Sequence, residues 1–204
     1  MEPTGGAGVS EDEGGRAARL LAAEVRALEL FAEVERRRLI APGRRDREVS
    51  DAIRDLAHEM FGVDRFWHKR IVRSGEHTLR PYRDNPPDRV IEEDDIAFAD
   101  FGPVFDGWEA DLGRTFVLGA DPVKHRLRDD LATIFAAGQR QFRERPEITG
   151  GQLFGYVGEL AAARGWEIGA THTGHLIGDF PHERIDGDQV SFYITTGKIG
   201  RAHV

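Results

Sequence analysis

The sequence predicts an α+β fold on three observations. Several stretches carry apolar residues at helical spacing, several others read as short strands around a tight antiparallel turn, and no internal repeat is visible. Residues 1–15 are Gly-rich and acidic with almost nothing to bury, so they are expected to form a disordered lead-in. From Arg16 to about Ile40, Leu21, Val25, Leu28 and Ala32 recur at helical spacing, and Pro42-Gly43 ends the pattern. A second helix is expected from Asp46, read as its N-cap, with Val49, Ile53, Leu56 and Met60 as the buried stripe and Gly62 as the stop. Phe66 to Thr78 reads as a strand pair or one extended strand, followed by a Pro-rich connector, Arg80 to Asp88. Ile96–Phe101 and Trp108–Leu118 are strand-like and flank Asp106-Gly107, the strongest hairpin signal in the chain. A third helix starts at Asp121-Pro122 and runs through Leu127, Leu131, Ile134, Phe135 and Phe142. A fourth spans about Gly151 to Arg164, and Glu167–Ile177 and Gln189–Ile194 read as further strands.

Composition narrows the function. The 204 residues contain no Cys, which excludes a disulfide scaffold, a thiolate zinc site and a cysteine nucleophile. Any metal must then be held by His, Asp and Glu. With 28 basic against 36 acidic residues the net charge is -8, the wrong sign for affinity built on phosphate neutralisation, so no nucleic-acid partner is expected. No apolar run approaches the roughly 18 residues of a membrane span and no signal peptide is visible, so a cytoplasmic location without membrane contact is expected.

Two segments carry candidate chemistry. With Asp106-Gly107 as the turn, Asp111 faces Gly102 across the hairpin, and Asp100 lies two residues further along the same strand. Asp100, Gly102 and Asp111 then share one face, with Gly102 leaving room between the carboxylates. Two like charges beside an apolar core are costly unless a cation or protons neutralise them. The plain alternative is that one aspartate edges the hairpin while the other makes a structural hydrogen bond. The second segment runs from Thr171 to Glu183, with His172, His175 bracketed by Gly174 and Gly178, and His182 beyond a turn. One imidazole with two carboxylates is a mixed donor set suited to Mn, Co, Fe or Zn.

Taken together, these residues resemble the pita-bread metallopeptidases, the family of methionine aminopeptidase, Xaa-Pro aminopeptidase, prolidase and creatinase. The resemblance rests on Asp100 and Asp111 at their spacing, Gly113-Arg114-Thr115 after the second Asp, the Gly-His-x-Ile-Gly pattern at Gly174–Gly178, and the later pair His182-Glu183. It covers about Arg19 to Ile194 and is nearest the short, single-domain members on the Xaa-Pro side. It implies a curved antiparallel sheet with helices on its outer face and a site holding two divalent ions, which activate a water for attack on the peptide carbonyl. Asp100 would chelate one metal, Asp111 would bridge both, His175 would bind the other, and His182 would act catalytically on the substrate carbonyl. His172 and Tyr82 would face the substrate, and a homodimer is compatible with the family.

The pattern also breaks. The family completes its site with two glutamates after the histidine, whereas this chain has only Glu183 there. The fold is therefore expected to lack its last strands, with a domain over residues 16–198. Residues 199–204 can be encoded by a widely used sequencing adapter, so they are expected to be an artefact rather than native sequence. The connector that often carries a substrate-facing histidine in the family holds Tyr82 and Arg83 instead, with His77 too early. Such a chain should be poorly stable and weakly active or inactive. The leading reading is a metal-dependent aminopeptidase-like hydrolase acting at peptide N-termini. The alternatives are an inactive pita-bread module that binds peptide or protein segments, and a creatinase-like amidinohydrolase. Both aspartates on one hairpin face argue against a mere binder.

Overall fold

The computed structural model describes residues 8–181 and 193–196, with side chains from residue 13 onward. Helix α1 (Gly8–Arg36) and helix α2 (Asp46–Phe61) lead into strand β1 (Ile71–Ser74) and a 3-10 turn (Gly75–Leu79). Then come β2 (Ile96–Phe101), the short β3 (Val104–Phe105) and β4 (Trp108–Glu109), and β5 (Leu112–Val117). Helices α3 (Pro122–Glu144) and α4 (Gly150–Ala163) precede β6 (His172–His175) and β7 (Tyr193–Thr195). β1, β2 and β5 form an antiparallel sheet in the order β1-β2-β5, and β3-β4 and β6-β7 form two-stranded ribbons.

The middle of the chain folds as its turn residues dictate. Asp106 and Gly107 both have positive φ, 51° and 86°, as a two-residue hairpin turn of the right twist requires. The turn sets the register: Val104 pairs with Glu109, and the same alignment continues to Asp100 opposite Gly113 and Ile96 opposite Val117. Alternation along β2 sends Ala97, Ala99 and Phe101 into the core under the helices, and therefore turns Ile96, Phe98 and Asp100 to the other face.

The helices cover the sheet with one unexpected rotation. α1 buries Ala23, Ala27, Leu30, Phe31 and Val34, and Phe31 meets Phe101 of β2 edge-on with ring centroids 6.2 Å apart. The stripe expected inward from the sequence faces solvent: Leu21 is 60% exposed, Val25 46% and Leu28 42%. Both stripes recur at helical spacing, so periodicity alone does not select between them; the Phe31 stripe is the one that meets the sheet. The helix also begins at Gly8, inside the stretch expected to be a disordered lead-in.

Other boundaries moved less. Arg45, not Asp46, is the N-cap of α2; Asp46 is its first residue, buried and accepting a 2.8 Å hydrogen bond from the Ser74 hydroxyl. Gly62 ends α2 in the left-handed conformation, as expected. Phe66 to Thr78 is not one strand: only Ile71–Ser74 pairs in the sheet, while Phe66 bridges singly to Pro103. α3 has its Asp121 cap and leading proline, but Leu131 and Phe135 on it are exposed. α4, β7 and the end of α3 share a second small core of Ile148, Leu153 and Ile194, backed by Phe142 and Phe154.

Candidate metal centre

Asp100 sits at the solvent-side face of β2 and Asp111 just before β5, where the hairpin register brings them to one side. Both are largely shielded, with side chains 30% and 23% exposed. Burial pushes the Asp100 carboxyl above its ordinary value, and the neighbouring charge of Asp111 pushes it further. Asp111 goes the other way: burial opposes its ionisation, but the imidazoles of His175 and His68 outweigh it and hold the carboxyl low.

His175, at the end of β6, places Nε2 2.7 Å from Oδ2 of Asp111. Its Nδ1 is 3.1 Å from the Leu176 carbonyl oxygen. A carbonyl can only accept, so Nδ1 carries the hydrogen and Nε2 is the nitrogen turned to the carboxylate. The bond to Asp111 raises the imidazole's pKa against the opposing effect of burial. The segment after His175 is clipped to the hairpin tip by Glu109, which is 1% exposed. Its backbone N–H donates to the Gly178 carbonyl at 2.9 Å, and the Gly178 N–H donates to its Oε2 at 3.2 Å.

Sequence reasoning missed His68. It lies in the irregular segment before β1, 8% exposed, with Nε2 3.5 Å from Oδ1 of Asp111 and 3.8 Å from Oδ1 of Asp100. His68, Asp100 and Asp111 each offer a ligand atom within 4.8 Å of the others, the one such group of three among the described residues. The room left by Gly102 is where this ring goes: a Cβ on Gly102 would stand 2.3 Å from Cδ2 of His68 and 2.4 Å from Nε1 of Trp67. Trp67 is fixed by its backbone N–H to the Gly102 carbonyl and its indole N–H to the Ala110 carbonyl, both at 2.9 Å. Its ring lies edge-on between His68 and His175, with centroids 4.5 and 5.3 Å away. The signal available in sequence was a histidine beside a tryptophan in a segment rich in β-formers, but nothing local connects it to the hairpin.

Two further expected residues, Tyr82 and His172, stand at the rim. Tyr82 is 54% exposed, with its ring 6.3 Å from His68 and the Lys69 ammonium 4.6 Å above it. Its connector is held by the buried Arg73 guanidinium, which donates to the carbonyls of Arg80, Pro81 and Asp84. His172 is exposed, with its ring tilted 59° to that of Tyr193 and centroids 4.7 Å apart; burial and then the charge of His175 lower its pKa. His182 and Glu183 lie outside the described residues, as does the 199–204 tail.

The donor set fits a divalent ion. A neutral imidazole with its hydrogen on Nδ1 would present an Nε2 lone pair to carboxylate oxygens that also only accept, so each contact needs a proton or a cation between its atoms. His68 Nε2 makes the point most sharply, being buried and without a hydrogen-bond partner among the described residues.

This arrangement agrees with what the chain is similar to. The model of metallopeptidase family M24 matches residues 16–200. The chain belongs to that family. It is 27% identical over 147 residues to the Xaa-Pro dipeptidase of Pyrococcus furiosus, a match covering 71% of this chain and 41% of that protein. Among solved structures, the X-Pro aminopeptidase from Thermotoga maritima MSB8 superimposes with a TM-score of 0.70 at 21% identity, over 92% of this chain and 50% of that one. A dipeptidase from Pyrococcus horikoshii OT3 does so with a TM-score of 0.66 at 26% identity, over 91% and 48%. The fold is thus the pita-bread fold of these peptidases, and the chain spans about half the length of the relatives it matches.

Proposed function

We propose that this M24 chain is a metal-dependent peptidase of the Xaa-Pro type, which removes the N-terminal residue of a peptide at a centre for two divalent ions. The observation that carries the reading is the shielded pair Asp100 and Asp111 on one hairpin face with the His175 Nε2 2.7 Å from Asp111. Asp100 and Asp111 would chelate, Asp111 bridging, and His175 would bind through Nε2. When bound, such ions supply Lewis acidity and a water nucleophile at neutral pH.

The chain's own groups do the rest. Asp111 offers one oxygen to each imidazole, and Trp67 packs edge-on against both rings, which holds them in place. Tyr82 and His172 stand at the rim, where a peptide's first residues would lie. His182 is the group assigned to the scissile carbonyl oxygen, following the family pattern. The Xaa-Pro preference is supported by the similarity to an Xaa-Pro dipeptidase and an X-Pro aminopeptidase, and Mn and Co are the ions to try first.

Mass spectrometry of an Xaa-Pro-Yaa tripeptide incubated with the chain and Mn(II) tests this. Slow release of the N-terminal residue alone is expected, stopped by chelator and by Asp111→Asn. Intact peptide bound by a metal-loaded chain would favour the binding module. Cleavage of a guanidino substrate such as creatine, with the peptide untouched, would favour the amidinohydrolase.

A further inference from the structure

His68 approaches the same carboxylate as His175, but at its other oxygen. Its Nε2 faces Oδ1 of Asp111, while that of His175 faces Oδ2. The two rings are oriented alike: each Nδ1 is bonded to the carbonyl of the following residue, Lys69 at 2.8 Å and Leu176 at 3.1 Å. A backbone carbonyl holding Nδ1–H is the device that fixes a histidine for coordination through Nε2. His175 has at least a 2.7 Å contact to satisfy it; His68 Nε2 is buried with no partner in bonding geometry among the described residues. Leaving a buried nitrogen so placed costs stability unless something occupies the space before it. That space is bounded by carboxylate oxygens of Asp100 and Asp111, all within 4.8 Å of the ring nitrogen and of one another.

We propose that His68 is a direct metal ligand through Nε2, acting beside Oδ1 of Asp111 as His175 would beside Oδ2. The proposal rests on the metal-centre reading above and adds a second imidazole to the Asp100, Asp111 and His175 set. Two features of the chain serve this role. Gly102 is the only residue type that admits the ring, since any Cβ there would overlap it. Trp67, hydrogen-bonded at both ends of its contact with the hairpin, holds the preceding residue so that the ring points into the carboxylate pair. A ring that merely filled core space would have no need to aim a nitrogen at two acids.

The direct test is long-range nitrogen–proton NMR of the histidine rings in the wild-type chain, titrated with Zn(II). Coordination is expected to move Nε2 of both His68 and His175 while each Nδ1 keeps its hydrogen. Metal affinity by equilibrium dialysis is expected to fall more than about tenfold in His68→Ala, with helix content by circular dichroism confirming the variant's fold. If Zn(II) moves His175 but leaves a proton on His68 Nε2, the ligand assignment is overturned while the peptidase reading stands. If Zn(II) moves neither ring, both fall. The wild-type spectrum decides the matter even where His68→Ala fails to fold.

Discussion

Gly102 shows how much one missing Cβ can carry. In the sequence it reads as room between two aspartates; in the structure that room is filled by His68 and the edge of Trp67. Gly102→Ala should therefore cost stability as overpacking does, about 1–3 kcal/mol, and should weaken metal binding because the rings it displaces face the site. Denaturant unfolding and metal dialysis of the same variant check the two effects; an alanine that leaves both unchanged would mean that the rings are free to move aside. Asp100 and Asp111 were legible because hairpin register is a local property, fixed by Asp106-Gly107 and then by alternation. His68 was not legible, since its distance from Asp111 is set by how the segment before β1 docks on the hairpin.

At the scale of elements, α1 makes the sharpest contrast between pattern and packing. Leu21 and Leu30 are equally apolar, yet Leu21 is 60% exposed and Leu30 fully buried. Leu30→Ala should cost about 2–5 kcal/mol and Leu21→Ala within about 0.5 kcal/mol, compared by chemical denaturation. The reverse ranking would restore the face expected from sequence. The connector between the 3-10 turn and β2 makes a second case. It lacks regular structure, and the Arg73 guanidinium collects its carbonyls instead. Lysine has a single nitrogen and no fork, so Arg73→Lys should expose residues 80–88 to protease and loosen Tyr82. Limited proteolysis reads this directly, and unchanged cleavage would show that the connector is held by other contacts. Helix existence was legible from periodicity, capping from Asp121 and Gly62, and the strand content of Phe66–Thr78 only in part, because apolar β-formers there serve the core without pairing.

For the whole molecule, one hairpin, one histidine ribbon and one irregular segment converge on Asp111. β2 and the residue leading into β5 present the carboxylates, β6 brings His175, and Glu109 ties the segment after β6 to the hairpin tip. Order and spacing along the chain let Asp100, Asp111 and His175 be read as one set from the sequence, and the hairpin register and the 2.7 Å approach of His175 to Asp111 bring them together. This convergence is suited to divalent cations. Thermal unfolding of the chelator-stripped chain with and without Mn(II) tests it most directly. Metal that binds only the folded state, at a hundred times its dissociation constant, adds about 2.7 kcal/mol, which for a domain of this size raises the midpoint by roughly 5–10 °C. That rise is expected in the wild type and its loss in Asp111→Asn; no rise in the wild type, or the same rise in both, would mean that these side chains do not hold the metal.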